Sequence, residues 1–187
     1  MNDLFKLLRV HQYVKNLFIF APFLFSFHFV SSDVINTSIA FILFSLMASS
    51  IYVLNDYMDI EEDLQHPKKK FRPLASGKVN KNTAKILIVL LSSTSLISAY
   101  FISMDLFIVL VIYFILNIAY SLKLKHIAIV DIFIIAIGFV LRLFAGSSMV
   151  EISLSMWIII MTFLLALFLA LAKRRDDILL SAEGKET

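Results

Sequence analysis

The sequence has no cysteine in its 187 residues. Disulfides, thiolate catalysis and Cys-ligated zinc or iron–sulfur centres are therefore excluded. Four glycines and three prolines are all it has, and neither low-complexity segments nor repeats of roughly 20–50 residues are present. Charge is scarce too: Asp, Glu, Lys and Arg make up 17% of the chain, against about 25% in soluble domains. What fills the gap is apolar, 60% of the residues, with 18 phenylalanines among them. A water-soluble fold of this size cannot hide so much apolar surface in one core. The chain reads as an integral membrane protein. The opening stretch MNDLFKLLRVHQYVKN has no small-residue cleavage site after a short apolar run, so no removable signal peptide is expected. The formal charge of +3 is modest, and neither a separate soluble domain nor a nucleic-acid partner is expected.

Apolar runs long enough to span a bilayer, which takes roughly 20 residues, fall at 13–32, 37–54, 83–102, 106–122, 129–146 and 154–172. The first is the weakest, because Lys15 must snorkel and Pro22 interrupts it. Lys6, Arg9 and Lys15 precede or open the first run, and bases from Lys68 to Lys85 separate the second from the third. Lys123 and Lys125 divide the fourth from the fifth, and Lys173, Arg174 and Arg175 follow the sixth. The remaining connections carry only the acids Asp33, Asp105 and Glu151. The positive-inside rule then puts both termini and the charged loops in the cytoplasm. The expected fold is an all-α polytopic membrane helix bundle of six spans, a single transmembrane domain over 1–187. The outer connections are too short to hold a site. Chemistry is therefore expected at the cytoplasmic face of the cell membrane, in loops 55–82 and 121–131.

The densest charge lies in NDYMDIEEDLQHPKKKFRPLASG, residues 55–77. Asp56, Asp59 and Asp63 stand at i, i+3 and i+7, and Asn55 stands four before Asp59, so all share one helical face. Carboxylates within about 6 Å repel by several kcal/mol at an effective dielectric of about 20. Hard oxygen donors in this number suit Mg²⁺, which commonly reaches a protein through a diphosphate. The bland alternative is an acidic juxtamembrane helix that is solvated, or paired with the lysines after it. Glu61 and Glu62 point elsewhere and read as solvated. The basic segment that follows, with Lys70 and the fork-shaped Arg72, suits phosphate oxygens; Lys68 to Lys70 also suit anionic lipid headgroups. His66, just before Pro67, is a candidate substrate contact. His11, His28 and His126 have no partner at metal spacing and read as packing or interfacial residues. Arg142, inside the fifth span, costs roughly 2.5–3.5 kcal/mol to insert and is functional by default; its partner is a carboxylate loop, a helix end or a lipid phosphate, unless it snorkels outward. Asp131 opens that span and suits an N-cap.

The pattern N-D-x-x-D-x-x-x-D followed by R-P-L-A-S-G resembles the first aspartate-rich motif of the UbiA-type prenyltransferase superfamily. YSLKLKHIAIVD, residues 120–131, resembles that family's next cytoplasmic loop. VHQYVKNLFIFAPF, HPKKKFRPLASG, GFVLRLFAG and ALAKRRDD are similar to its decaprenyl-phosphate phosphoribosyltransferase branch. The resemblance runs from about Val10 to the end of the chain. It implies Mg²⁺-dependent transfer of a 5-phosphoribosyl group from phosphoribosyl diphosphate to a polyprenyl phosphate, releasing diphosphate. It implies that Asp56, Asp59 and Asp63 hold Mg²⁺ on the diphosphate, oriented by Asn55, while Lys70 and Arg72 grip donor phosphates. Lys123, with Tyr120 nearby, would close over the leaving group or acceptor. Lys173, Arg174 and Arg175 would hold the acceptor phosphate or the donor 5-phosphate, and Asp177 a ribose hydroxyl or second Mg²⁺. Lys15, Asn16, His66, Asp131 and Arg142 are further expected substrate-binding residues. Bases after a last span also serve as plain topology signals.

Two other readings stand beside this one. An aromatic prenyltransferase of the same superfamily would use the same aspartates, with a less basic cleft and a second aspartate run. A membrane scaffold or inactive fragment would bind lipid through its basic loops and turn nothing over. The family fold has several more helices than six spans, so the chain is expected to be a fragment or a shortened protein. Another chain, or another copy in a homo-oligomer, would then supply the remaining helices.

Overall fold

In a bilayer, backbone N–H and C=O groups find no water, so each spanning segment must satisfy its own as a helix. The computed structural model follows that rule and describes residues 3–27, 30–122, 124, 127, 129–150 and 152–182, with 176–182 as backbone only. The elements run α1 (Asp3–Leu8), a 3-10 segment (Val10–Phe20), α2 (Ala21–Ser26), α3 (Ser31–Met58), α4 (Ile60–Gln65) and a 3-10 turn (Lys69–Phe71). They continue as α5 (Lys81–Ile102), α6 (Met104–Leu122), α7 (Val130–Val150) and α8 (Met156–Ala182). Among the described residues there is no strand. Among the described residues five helices are long and apolar enough to cross a membrane: α3, α5, α6, α7 and the Met156–Arg175 part of α8.

The first expected span, 13–32, is not one helix. Arg9 is left-handed (φ 50), a 3-10 coil runs to Phe20, and Pro22 sits in the first turn of α2. That is where proline's missing N–H is harmless. Phe27 is left-handed again (φ 56), and α3 takes over at Ser31. The coil of 11 residues at about 2.0 Å each and the six of α2 at about 1.5 Å together reach roughly 30 Å, close to the thickness of the hydrocarbon core.

Helices α3 and α7 form the centre. α3 packs on α5, α6, α7 and the 3-10 segment; α7 packs on α6, α8, α3 and the same segment. Phe44, Met47 and Ile51 of α3 meet Leu106, Leu110 and Tyr113 of α6, Leu141 and Ala145 of α7, and Ile19. Small residues let backbones approach. At Gly146 of α7 a Cβ would fall inside the envelope of the Ile19 carbonyl. Hydroxyls tie α3 to α5, Ser95 donating to the Leu43 carbonyl at 2.8 Å and Ser50 to the Ile88 carbonyl at 3.0 Å. A second apolar cluster of Leu7, Val53, Ile60, Leu74, Val79 and Ala84 underpins the charged end, clamping α1 and the 66–80 loop onto α3 and α5. That loop turns at Gly77 (φ 73), a conformation glycine adopts freely, and ends at Asn80, whose side chain caps α5 by accepting from the Asn82 N–H at 3.1 Å. The outward faces of α5 and α8 are apolar, with Phe101 and Trp157 among the most exposed side chains.

Candidate active site

The acidic helix keeps its path through a one-residue break. α3 ends at Met58 and α4 begins at Ile60, yet the Asp59 N–H bonds the Asn55 carbonyl at 3.0 Å and the Asp63 N–H bonds the Asp59 carbonyl at 2.8 Å. Asn55, Asp59 and Asp63 thus follow one another at four-residue spacing along nearly continuous helix. Asp56 and Asp63 are each 3% exposed. Buried carboxylates stay charged only with cations and hydrogen bonds around them, and arginines supply both here. Arg9 donates from Nη2 to Asp56 Oδ1 at 2.5 Å. Arg72 Nη1 donates to Asp56 Oδ1 at 3.2 Å and to Asp63 Oδ2 at 2.8 Å. The expected trio of carboxylates is therefore not gathered around one point. Among the described residues no three His, Asp or Glu group as metal ligands, because Asp56 turns to Arg9 while Arg72 stands between Asp56 and Asp63. Asn55 points to α6, where its side chain pairs with the Ser121 hydroxyl.

The other expected residues divide into three groups. Lys15, Tyr120, Asp131, Lys173 and Arg174 share one cavity of about 770 Å³, walled otherwise by Ile132, Ile135, Phe139, Ala166, Leu169 and Ala170. Arg174 pairs with Asp131 Oδ2 across α8 and α7. Asp131 Oδ1 is buried with no hydrogen-bond partner among the described residues. His66 serves its own loop: Nδ1 accepts from the N–H groups of Lys68 and Lys69 at 3.2 and 3.3 Å. Lys70 is exposed, its ammonium 5.3 Å from the Phe71 ring centre.

Asn16 and Arg142 form the third group, and they face each other inside the bundle. Arg142 is 5% exposed, so it does not snorkel. Its Nε donates to Asn16 Oδ1 at 2.8 Å and its Nη1 to the Gly138 carbonyl at 2.6 Å. The rings of Phe44, Phe139 and Tyr113 surround the guanidinium at 4.9, 5.3 and 5.5 Å. Such faces stabilise a desolvated cation by about 2 kcal/mol or more. Asn16, 1% exposed, passes the link on by donating to Ser45 Oγ at 2.8 Å. Phe139 stands on the wall of the larger cavity, between that space and the guanidinium. Lys123 and the Asp177 side chain lie outside the described residues.

Arg9 carries weight that spacing alone does not reveal. Counted as a topology signal, it is Asp56's nearest cation, and it also lies 5.3 Å from the Tyr52 ring centre. It opens onto a smaller space of about 340 Å³, shared with Lys6, His11, Gln12, Asp56, Lys68, Phe71, Arg72 and Pro73. A third space of about 460 Å³, between α2 and α8, is lined by Pro22, Phe25, Trp157 and Met161 among others and, among the described residues, by no titratable group. Among the described residues, the bases expected to bind substrate thus line mainly the two spaces flanking the N-terminal segment.

Relatives and solved structures agree with this architecture. Over 186 residues the chain is 37% identical to the decaprenyl-phosphate phosphoribosyltransferase of Mycolicibacterium smegmatis, covering 97% of this chain and 58% of that protein. The protein of the same description from Corynebacterium glutamicum is 36% identical over 96% of this chain and 55% of its own length. The chain therefore spans just over half the length of these relatives. A UbiA homologue from Archaeoglobus fulgidus, solved with DMAPP and Mg²⁺, superposes with a TM-score of 0.82 at 18% identity over 98% of this chain and 67% of that one. The same homologue with GPP and Mg²⁺ gives 0.80 at 19% identity. At such identities the likeness concerns the fold. The profile of the UbiA prenyltransferase family matches residues 17–180, most of the chain, and the chain belongs to that family.

Proposed function

We propose that this chain carries the donor- and acceptor-binding half of a membrane transferase that moves a 5-phosphoribosyl group from phosphoribosyl diphosphate to a polyprenyl phosphate. One observation carries the reading: the 770 Å³ cavity joins three bases, Lys15, Lys173 and Arg174, to a wall of Ile, Leu, Ala and Phe side chains. Bases beside apolar walls suit a phosphate on a hydrocarbon tail. Curated relatives of matching sequence act, by name, on decaprenyl phosphate. The asymmetry of bases supports cytoplasmic termini and a cytoplasmic site at the cell membrane.

A divalent cation fits the acidic helix. Asp59 and Asp63 offer hard oxygens one helical turn apart, the donor type Mg²⁺ takes, while the Asn55 oxygen is held by the Ser121 hydroxyl. Asp59 and Asp63, with Asn55 beside them, would hold it, and Asp56 backs them by fixing Arg9 and Arg72. When bound, the ion supplies charge stabilisation to the departing diphosphate. The chain's own groups do the rest. Arg72 and Lys70 receive phosphate oxygens of the donor. Lys15, Lys173 and Arg174 hold the acceptor phosphate against the sugar. The C1–diphosphate bond breaks, an oxygen of the acceptor phosphate forms the new bond to C1, and the electron pair leaves with diphosphate. The attacking phosphate is already an anion, so no general base is required. Asp131 backs the larger cavity by pairing with Arg174.

The test is an assay in membranes with labelled phosphoribosyl diphosphate, a polyprenyl phosphate and Mg²⁺, run on this chain and on a version lengthened to match its relatives. Labelled lipid that disappears with Asp63→Asn is the expected result. Label that never enters lipid from either version, while prenyl diphosphates react with aromatic acceptors, overturns the reading in favour of prenyl transfer.

A further inference from the structure

Four cations from separate stretches of chain converge on the 340 Å³ opening: Lys6 of α1, Arg9 just after it, and Lys68 and Arg72 of the loop beyond α4. Asp56 is the one carboxylate on its wall among the described residues, and it is already bonded by both arginines. Each guanidinium carries five N–H donors in a fixed fork. Arg9 uses Nη2 and Arg72 uses Nη1 for protein acceptors, among the described residues. Among the described residues, Nε and Nη1 of Arg9, and Nε and Nη2 of Arg72, are left for another acceptor. The lining holds Phe71 and Pro73 as its apolar part, too little for a lipid tail.

The backbone at Arg9 adds a second argument. Arg9 follows the last residue of α1 in a left-handed conformation, φ 50 and ψ 45, the position where glycine is the favoured helix terminator. A non-glycine residue there costs on the order of 1–3 kcal/mol and persists where its side chain is needed. That side chain is the one aimed at Asp56 and the opening.

We propose that this opening is a phosphate-binding site, distinct from the larger cavity, and that it receives the 5-phosphate of the donor. Its anion preference follows from charge alone; the identity of the ligand rests on the phosphoribosyl-transfer reading. Arg72 links the two ends of such a donor, because one of its nitrogens touches both Asp56 on the wall of the opening and Asp63 on the proposed diphosphate side. The division is then chemical: the soluble donor uses the small polar opening, and the lipid phosphate uses the cavity with apolar walls. An anionic lipid headgroup presents the same phosphate chemistry, and the experiment separates the two.

Ribose 5-phosphate is the probe, since it has the 5-phosphate but no diphosphate. It is titrated calorimetrically against the whole chain in phosphatidylcholine nanodiscs with EDTA present. Binding to the wild type is expected without a divalent ion. Arg9→Gly, which relieves the backbone strain, and the double variant Lys6→Gln/Lys68→Gln, which leaves the Asp56 pairs intact, should each weaken it about tenfold or more. Lys173→Gln, in the larger cavity, should not. The site is refuted by an absence of binding to the wild type, by affinities unchanged in both variants with native melting curves, or by an equal loss with Lys173→Gln. Nanodiscs containing phosphatidylglycerol should bind the probe equally well. A competitive loss that grows with phosphatidylglycerol and vanishes in the variants would hand the opening to a lipid headgroup and overturn the donor assignment. Probe binding as expected, with no label entering a polyprenyl phosphate, would sink the transfer reading and leave the phosphate site standing. Transfer indifferent to the variants would do the reverse.

Discussion

The contact between Gly146 and Ile19 can be tested with one methyl group. A Cβ at Gly146 meets backbone, the carbonyl of Ile19, and a backbone obstacle cannot rotate away as a side chain can. Gly146→Ala must therefore push the whole 3-10 segment off α7 or distort α7 itself. Overpacking of this kind costs typically about 1–3 kcal/mol. The same helix supplies its own control. At Gly138 a Cβ would lie 3.5 Å from Arg142 Nη1 and 3.8 Å from Tyr113 Cε2, ordinary contact. Gly138→Ala should then be neutral, or gain up to about 1 kcal/mol of helix propensity. One substitution at two sites eight residues apart should thus differ by roughly 1–4 kcal/mol. Thermal unfolding in detergent or nanodiscs reads this directly: Gly146→Ala should melt several degrees below wild type, and Gly138→Ala at or above it. Equal melting of the two variants would refute the close approach, and with it the account of how the N-terminal segment is seated.

The Arg142–Asn16 pair predicts a strongly non-additive double-mutant cycle. Arg142→Met or Asn16→Leu alone should destabilise by about 1–3 kcal/mol by stranding a buried partner, whereas the double variant should recover most of that loss in the same melting assay. Ser95→Ala removes a hydroxyl bond between α5 and α3 and should cost on the order of 0.6 kcal/mol, the usual scale for such bonds in membranes. Asp56→Asn should release Arg9 and Arg72 together, lowering stability more than Asp59→Asn and weakening ribose 5-phosphate binding even where the protein still folds.

Much of the fold is legible in apolar run length, because lipid leaves so few backbone solutions. α3, α5, α6, α7 and α8 follow the expected spans to within a few residues, apart from extensions of α3 and α8 into charged sequence. The first span shows where run length stops being informative. Lys15 and Pro22 mark residues 13–32 as the weakest run, but the left-handed turns at Arg9 and Phe27 that shape the segment depend on local φ and ψ. The Asp-rich helix is legible from its spacing, whereas Arg72, expected from the sequence to grip donor phosphates, pairs with Asp56 and Asp63 in the structure. Arg9 is not legible, since 47 residues separate it from Asp56 and nothing in the spacing of either stretch links them. Arg142 stands out in the sequence for carrying charge inside a span. Its partners were not legible, because an amide, a carbonyl and three rings leave no charge pattern to find.

These tertiary links give the N-terminal segment its meaning. Read along the chain, Lys6, Arg9 and Lys15 look like one basic flank that orients the first helix. In space they part: Lys6 and Arg9 face the small opening beside Asp56, and Lys15 faces the large cavity beside Lys173 and Arg174. Asn16, next in the chain after Lys15, is locked to Arg142 and Ser45, Tyr13 pairs with Ser49, and Ile19 sits on Gly146. The segment is thus pinned at three points by α3 and α7 while its bases reach to both sides. A 3-10 coil suits that task better than an α-helix, since three residues per turn bring positions 13, 16 and 19 onto one line toward the core. Those three residues carry the three pins. The placement of Lys15 between these pins therefore rests on the winding of eleven residues, and a regular α-helix through the same stretch would spread the three pins over about 120° instead of one line.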